Sequence, residues 1–240
     1  MWEKINPFVY SVISILPWGL ALFMLHPEKW LRKFFLATVS IVFGFLSTQV
    51  VLFLHPILWP EVEKKVKKVS LLSQTAHIAF IQAGMMEETF KILFILLIIL
   101  VFGYNFKKRE FHKNSVLISG FVALGFSLIE NYTYISKQTV NFRFEIFIGR
   151  TIHSSNIHLL INLCFSLFLL KSNNKSWKEK ILTIAYGFFL AVFQHGVVDF
   201  FLLPSSKFGS WLATALFVGI WVWVVKDMRK FVYETTPVTQ

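Results

Sequence analysis

Seven stretches of this chain are apolar over lengths near or beyond the ~20 residues that a helix needs to cross a ~30 Å hydrocarbon layer. Lipid offers no water to backbone amides, so such stretches fold as helices, which satisfy their own hydrogen bonds. The spans are expected at about 8–25, 34–54, 73–102, 115–135, 147–170, 181–203 and 209–225. With 55% hydrophobic residues and 28 phenylalanines among 240, the chain carries more apolar surface than one soluble core could hide. The fold class is therefore all-α, a polytopic transmembrane helical bundle of about seven spans. No interdomain linker, repeat or low-complexity tract interrupts it, so residues 1–240 read as a single membrane domain. The first apolar run lacks a preceding basic stretch and a small-residue cleavage site, and is expected to be retained as a span.

The formal net charge of +11 does not make nucleic acid a partner. The basic residues sit in short connections between spans, where they set topology and meet anionic lipid headgroups. Cys164 is the single cysteine and lies in an apolar run, which excludes an intramolecular disulfide and a cysteine-based metal site. Eight Lys and Arg fall on the side of the N-terminus and fourteen on the other. The positive-inside rule then puts the N-terminus outside and the C-terminus in the cytoplasm of a cell membrane. Lys64, Lys65, Lys67 and Lys68 lie on the disfavoured side. With Glu61, Glu63, Val62, Val66 and Val69 they are expected to form an amphipathic helix on the membrane surface.

Against this apolar background a few side chains stand out by cost. Glu87, Glu88, Lys91, Glu130, Arg150 and Asp199 lie inside expected spans, as do His77, His153, His158 and His195. A charge at mid-bilayer costs at least about 2.5–3.5 kcal/mol, so such residues face the bundle interior and serve a purpose. At ~1.5 Å of rise per residue, Glu130, His153, His195 and Asp199 fall roughly 6–12 Å below one membrane face. Glu87 and Glu88 lie deeper, unless the third span is kinked near Gly84. All these groups share one half of the bilayer.

Helical spacing adds partners. Lys91 stands four residues after Glu87 and three after Glu88, within reach of either carboxylate. Phe126, Glu130 and Tyr134 form a stripe along one helix face. His195 and Asp199 are one turn apart, which fixes the imidazole's tautomer and orientation. Two adjacent carboxylates with one lysine between them suit one as base and the other as acid or anchor. His77 and His158 read as helix–helix hydrogen-bond donors, and Arg150 as a snorkelling residue or a partner of Glu145 or Glu130. Tyr132 and Tyr134 read as interface aromatics, and Trp211, Trp221 and Trp223 as packing or lipid-facing residues.

Taken in order, Glu87-Glu88-Thr89-Phe90-Lys91, Phe126-Ser127-Leu128-Ile129-Glu130-Asn131, His153 after Arg150, and His195-Gly196-Val197-Val198-Asp199 resemble the four motifs of the PrsW family. These are intramembrane proteases, distantly similar to type II CAAX prenyl endopeptidases and bacteriocin-processing membrane proteins. The resemblance runs from about residue 80 to 203, leaving out the first two spans and the last. It implies hydrolysis of a peptide bond in a single-pass membrane protein, and in PrsW relatives the substrate is an anti-sigma factor cut in stress signalling. It also implies roles. Glu87 or Glu88 would be the general base, and Glu130 would hold the water or a proton. His195, oriented by Asp199, would donate to the oxyanion, and His153 would be a second donor or a ligand. Lys91, Phe126, Asn131 and Tyr134 would support them. The prenyl endopeptidases carry histidine where this chain has Glu130, which leaves a metal open. His153, His195, Glu130 and Asp199 would suit a divalent ion.

Two other functions compete. A seven-span metal-dependent hydrolase of a lipid amide or ester fits the topology but lacks its HxxxH pair. A proton-coupled transporter would use the buried carboxylates as a relay, yet the polar groups stop within one half of the bilayer.

Overall fold

The Asn6 side chain accepts the Phe8 N–H at 2.9 Å, and Pro7 occupies the first helical position where no N–H is missed. These two residues start α1 (Pro7–Leu25). In this computed structural model, residues 5–60, 71–203 and 207–234 are described. The surface helix expected around Lys64 lies outside them. After α1 come α2 (Trp30–Leu58) and a continuous helical run over 71–102, here α3. Then follow α4 (Asn114–Ser136) and α5 (Val140–Lys171). A capping box between Ser176 and Glu179 opens α6 (Trp177–Leu202), and α7 (Lys207–Met228) continues as a π-wound turn, Arg229–Tyr233.

All seven expected spans are helical. Six of the helices are long and apolar enough to cross a membrane. The other, α3, carries Glu87, Glu88 and Lys91 and changes winding along its length: α over Leu71–His77, π over Ile78–Met85 and α again over Met86–Phe102. The kink expected near Gly84 is thus a π-wound stretch, a feature that often accompanies functional sites. A second one, Arg150–Ser154, interrupts α5. One departure from the all-helical expectation sits between α3 and α4. There β1 (Tyr104–Asn105) pairs antiparallel with β2 (Glu110–Phe111), and Arg109 takes the left-handed conformation, φ 57°, that closes the turn.

Burial separates inner from outer helices. In the membrane-crossing windows of α4 and α5, 72% and 83% of residues are buried, against 28–39% for α1, α2, α6 and α7. The outer helices present Phe8, Leu20, Phe53, Phe189, Trp211 and Val222 to the surroundings, the apolar belt that lipid requires. Inside, Ile95, Leu117, Ile118, Leu160, Phe165 and Val224 close one continuous core. Trp221 is a packing residue: its indole N–H donates to Asn156 at 3.0 Å and its ring lies 6.0 Å from Trp18.

Without a hydrophobic drive between helices in lipid, small residues set how closely they approach. A Cβ on Gly44 of α2 would stand 2.2 Å from the Val122 carbonyl, and one on Gly125 of α4 would stand 2.3 Å from that of Ile41. These helices cross backbone to backbone at paired glycines. Likewise Phe80, in the π-wound stretch of α3, lies over Gly196 of α6, where a Cβ would meet its ring at 2.3 Å. That contact brings Glu87 and Glu88 of α3 beside His195 of α6.

Candidate active site

Glu88 is the sealed centre of the polar cluster. Its Oε1 lies 2.5 Å from the Lys91 ammonium and 2.7 Å from His195 Nδ1. Its Oε2 accepts from the Asn162 amide at 3.2 Å. Lys91 reaches further: its Nζ is 3.5 Å from Glu87 Oε2, donates to His158 Nδ1 at 2.9 Å and stands 4.2 Å from the centre of the Phe126 ring. The spacing that allowed Lys91 to serve either carboxylate is realised with both at once. His195 presents its other nitrogen, Nε2, to Glu87 Oε2 at 3.8 Å and to Asp199 Oδ2 at 3.3 Å. The imidazole is therefore oriented from two sides, by Asp199 as the spacing suggested and by Glu88 from another helix.

Glu130 anchors the other half. Its Oε2 takes His158 Nε2 at 2.8 Å, an Arg150 guanidinium nitrogen at 2.5 Å and the Ser154 hydroxyl at 3.4 Å. Of the two partners considered for Arg150, the structure provides Glu130. Arg150 Nε also donates to Asn131 Oδ1 at 2.7 Å, and the guanidinium covers the Tyr134 ring at 4.3 Å. Asn131 in turn donates to Ser14 at 2.7 Å and Ser155 at 2.8 Å, which ties the site to α1 and α5. Tyr134, read first as an interface aromatic, is the platform on which Arg150 lies.

Two histidines exchange the places that sequence reasoning gave them. His153 packs its ring 5.7 Å from Phe217 of α7, and among the described residues it makes no ion pair with the cluster. His158 stands in the middle instead, pinned at Nε2 by Glu130 and at Nδ1 by Lys91, with its ring 5.1 Å from that of His195. The π-wound turn explains the exchange. An extra residue in the turn around His153 rotates the faces of α5, so counting by α-helical turns misplaces them. Asn162 was also missed, although it stands one turn beyond His158, a polar pair in an apolar run that could have flagged both. His77 lies apart, beside Gln82 at 3.4 Å.

Exposure is graded across the cluster. The side chains of Glu88 and Lys91 are 0% exposed and those of His158 and His195 3%, whereas Glu87 reaches 14%, Glu130 18% and Asp199 31%. The floor is dry and the rim is open to water. Removing one partner from such a buried charge network costs about 3–5 kcal/mol, because the other charge is left uncompensated.

A divalent ion has a compatible set of donors here. One ligand atom each from Glu87, His158 and His195 lie within 4.8 Å of one another, and Glu87 Oε2 is buried without a hydrogen-bond partner. Neutral imidazoles plus a carboxylate are a donor set that suits zinc, and both imidazoles are backed by carboxylates, Glu88 and Glu130. The set expected from sequence, His153, His195, Glu130 and Asp199, shares only His195 with it.

Similar proteins agree with this site. Over residues 26–225 the chain matches the model of a family described as PrsW family intramembrane metalloprotease. This is wider than the motif-bearing region 80–203, and takes in α2 and most of α7. Among curated relatives, Protease PrsW of Clostridioides difficile (strain 630) is 25% identical over 169 residues, 69% of this chain and 68% of that protein. Protease PrsW of Geobacillus kaustophilus (strain HTA426) is 24% identical over 196 residues, covering 82% and 77%. That of Bacillus subtilis (strain 168) is 25% identical over 193 residues, covering 80% and 77%. No solved structure matches the chain. A helical membrane bundle with carboxylates and imidazoles gathered at its centre, matched over most of its length, makes this chain a member of the PrsW family of intramembrane proteases.

Proposed function

We propose that this protein cleaves a peptide bond in a membrane-anchored protein with water activated by a glutamate, and that Glu87 is the base. One observation carries the choice between the adjacent carboxylates. Glu88 has both oxygens engaged, by Lys91, His195 and Asn162, while Glu87 Oε2 has no hydrogen-bond donor and faces His195 Nε2. A water hydrogen-bonded to Glu87 loses a proton to it as its oxygen bonds to the scissile carbonyl carbon. His195, held by Glu88 and Asp199, donates to the oxyanion that forms. The C–N bond then breaks, and the proton from Glu87 passes to the departing amine. Glu130, Arg150 and Lys91 hold His158 and Glu88 still throughout. A divalent ion bound by Glu87, His158 and His195 would supply Lewis-acid polarisation of the attacking water or the carbonyl.

The substrate class follows from family membership and the position of the cluster: a single-pass membrane protein, with an anti-sigma factor as the candidate. The protein is read as a bacterial multi-pass membrane protein whose site opens to the extracytoplasmic side. Purified protein given a single-pass substrate is expected to cleave it. Glu87→Gln and His195→Ala should each lower turnover by about 10²–10⁴-fold, the range of general acid–base catalysis, while the helical spectrum stays unchanged. Undiminished cleavage in both would overturn this mechanism. Elemental analysis for stoichiometric zinc, with activity lost on chelation and restored by zinc, separates the metal-assisted form from the metal-free one.

A further inference from the structure

A cavity of about 920 Å³ lies away from the active site, and none of the residues that line it belongs to the cluster described above. It forms where the α1–α2 turn, the β1–β2 hairpin, the start of α4 and the end of α5 meet, and Phe231 of α7 closes one side. The frame is built from groups that satisfy one another. The Asn173 side chain pairs with the Phe111 backbone, accepting its N–H at 2.7 Å and donating to its carbonyl at 2.9 Å. Asn114 donates to Glu28 at 2.7 Å, and Glu28 also pairs with Arg32 at 3.6 Å. Lys171 is neutralised by Asp227.

What remains is positive. Lys108 and Lys113 line the cavity, and among the described residues their ammonium groups make no ion pair. Lys113 is the residue before α4, and no side-chain hydrogen bond caps the N-terminus of that 23-residue helix. Its first N–H groups and the positive end of its dipole therefore add to the two lysines. Asn105 and Asn174 supply amide donors on the same wall. Volume, two unpaired ammonium groups and an uncapped helix end together suit a phosphate-bearing anion of headgroup size.

We propose that this cavity binds a phosphate ester, with Lys108, Lys113 and the start of α4 as the binding groups. The same chemistry is offered by the headgroup of an anionic phospholipid and by a soluble phosphate monoester. The test uses the full chain in two settings. In neutral detergent, glycerol 3-phosphate is titrated while thermal unfolding is followed. In nanodiscs, phosphatidylglycerol is compared with phosphatidylcholine. A saturable rise in Tm with glycerol 3-phosphate identifies the soluble source, and a rise confined to phosphatidylglycerol identifies the lipid.

In either setting Lys108→Ala and Lys113→Ala should each weaken binding about tenfold, the fold-change of one charge-assisted hydrogen bond. Lys107→Ala, beside them in sequence but outside the cavity lining, should leave it unchanged. No saturable response to either probe, or a response that Lys107→Ala lowers as much as Lys108→Ala and Lys113→Ala do, overturns the proposal. Proteolysis in unliganded detergent serves as the folding control, since neither lysine touches the catalytic cluster.

Discussion

At the scale of single residues, the site is decided by which hydrogen-bonding atoms are already taken. Glu88, Lys91 and His158 are saturated by neighbours, and Glu87 is not. This sorts variants of residues that look alike in sequence. His158→Ala should abolish cleavage, because it strips a buried partner from both Lys91 and Glu130, while His153→Ala should keep cleavage within a few-fold of wild type. A substrate-cleavage assay beside a thermal melt checks both. Equal loss in the two variants would mean that His153 belongs to the chemistry. The pairs visible in sequence were those within one helical turn, Glu88–Lys91 and His195–Asp199. The partners of His158 lie 67 and 28 residues away, so no local pattern points to them. Only the turn to Asn162 gives a nearby clue.

At the scale of elements, composition was enough to reveal seven helices, because lipid leaves apolar segments no other fold. It could not reveal how the windings differ, since a π-wound turn uses the same residues as an α turn. The crossing of α2 and α4 depends on two hydrogens where other residues have side chains. Gly125→Val should therefore destabilise the bundle by about 1–3 kcal/mol, the range for overpacking, with a lower Tm in detergent. A Tm equal to wild type would show that the helices can part without cost.

The turn between α1 and α2 supplies a pH dependence. His26 is buried there, with Nε2 donating to the Lys113 carbonyl at 3.2 Å and Nδ1 accepting the Glu28 N–H at 3.3 Å. Burial holds its pKa below the ordinary 6.5, so the folded chain keeps this imidazole neutral. Below that pH the unfolded chain takes up a proton that the folded one refuses. Its contribution to stability is therefore complete above 6.5 and falls as the pH drops toward the lowered folded value. The difference in Tm between pH 7.5 and 5.5 should shrink in His26→Gln; an unchanged difference would assign the dependence to other histidines.

At the scale of the whole molecule, the graded exposure of the cluster bears on how a substrate enters. An intact transmembrane helix is about 10–12 Å wide with its side chains, and its carbonyls are all engaged in its own hydrogen bonds. A scissile carbonyl that must approach Glu87 and His195, below a wet rim and above a floor sealed from water, has to leave that ladder first. Substrates with Gly or Pro at the point of cleavage should thus be cut faster than the same sequence with Leu or Ala, a difference that paired synthetic spans would measure. The half-dry pit then acts as a ruler as well as a reactor: it selects segments already frayed at one membrane boundary and passes over those that stay wound.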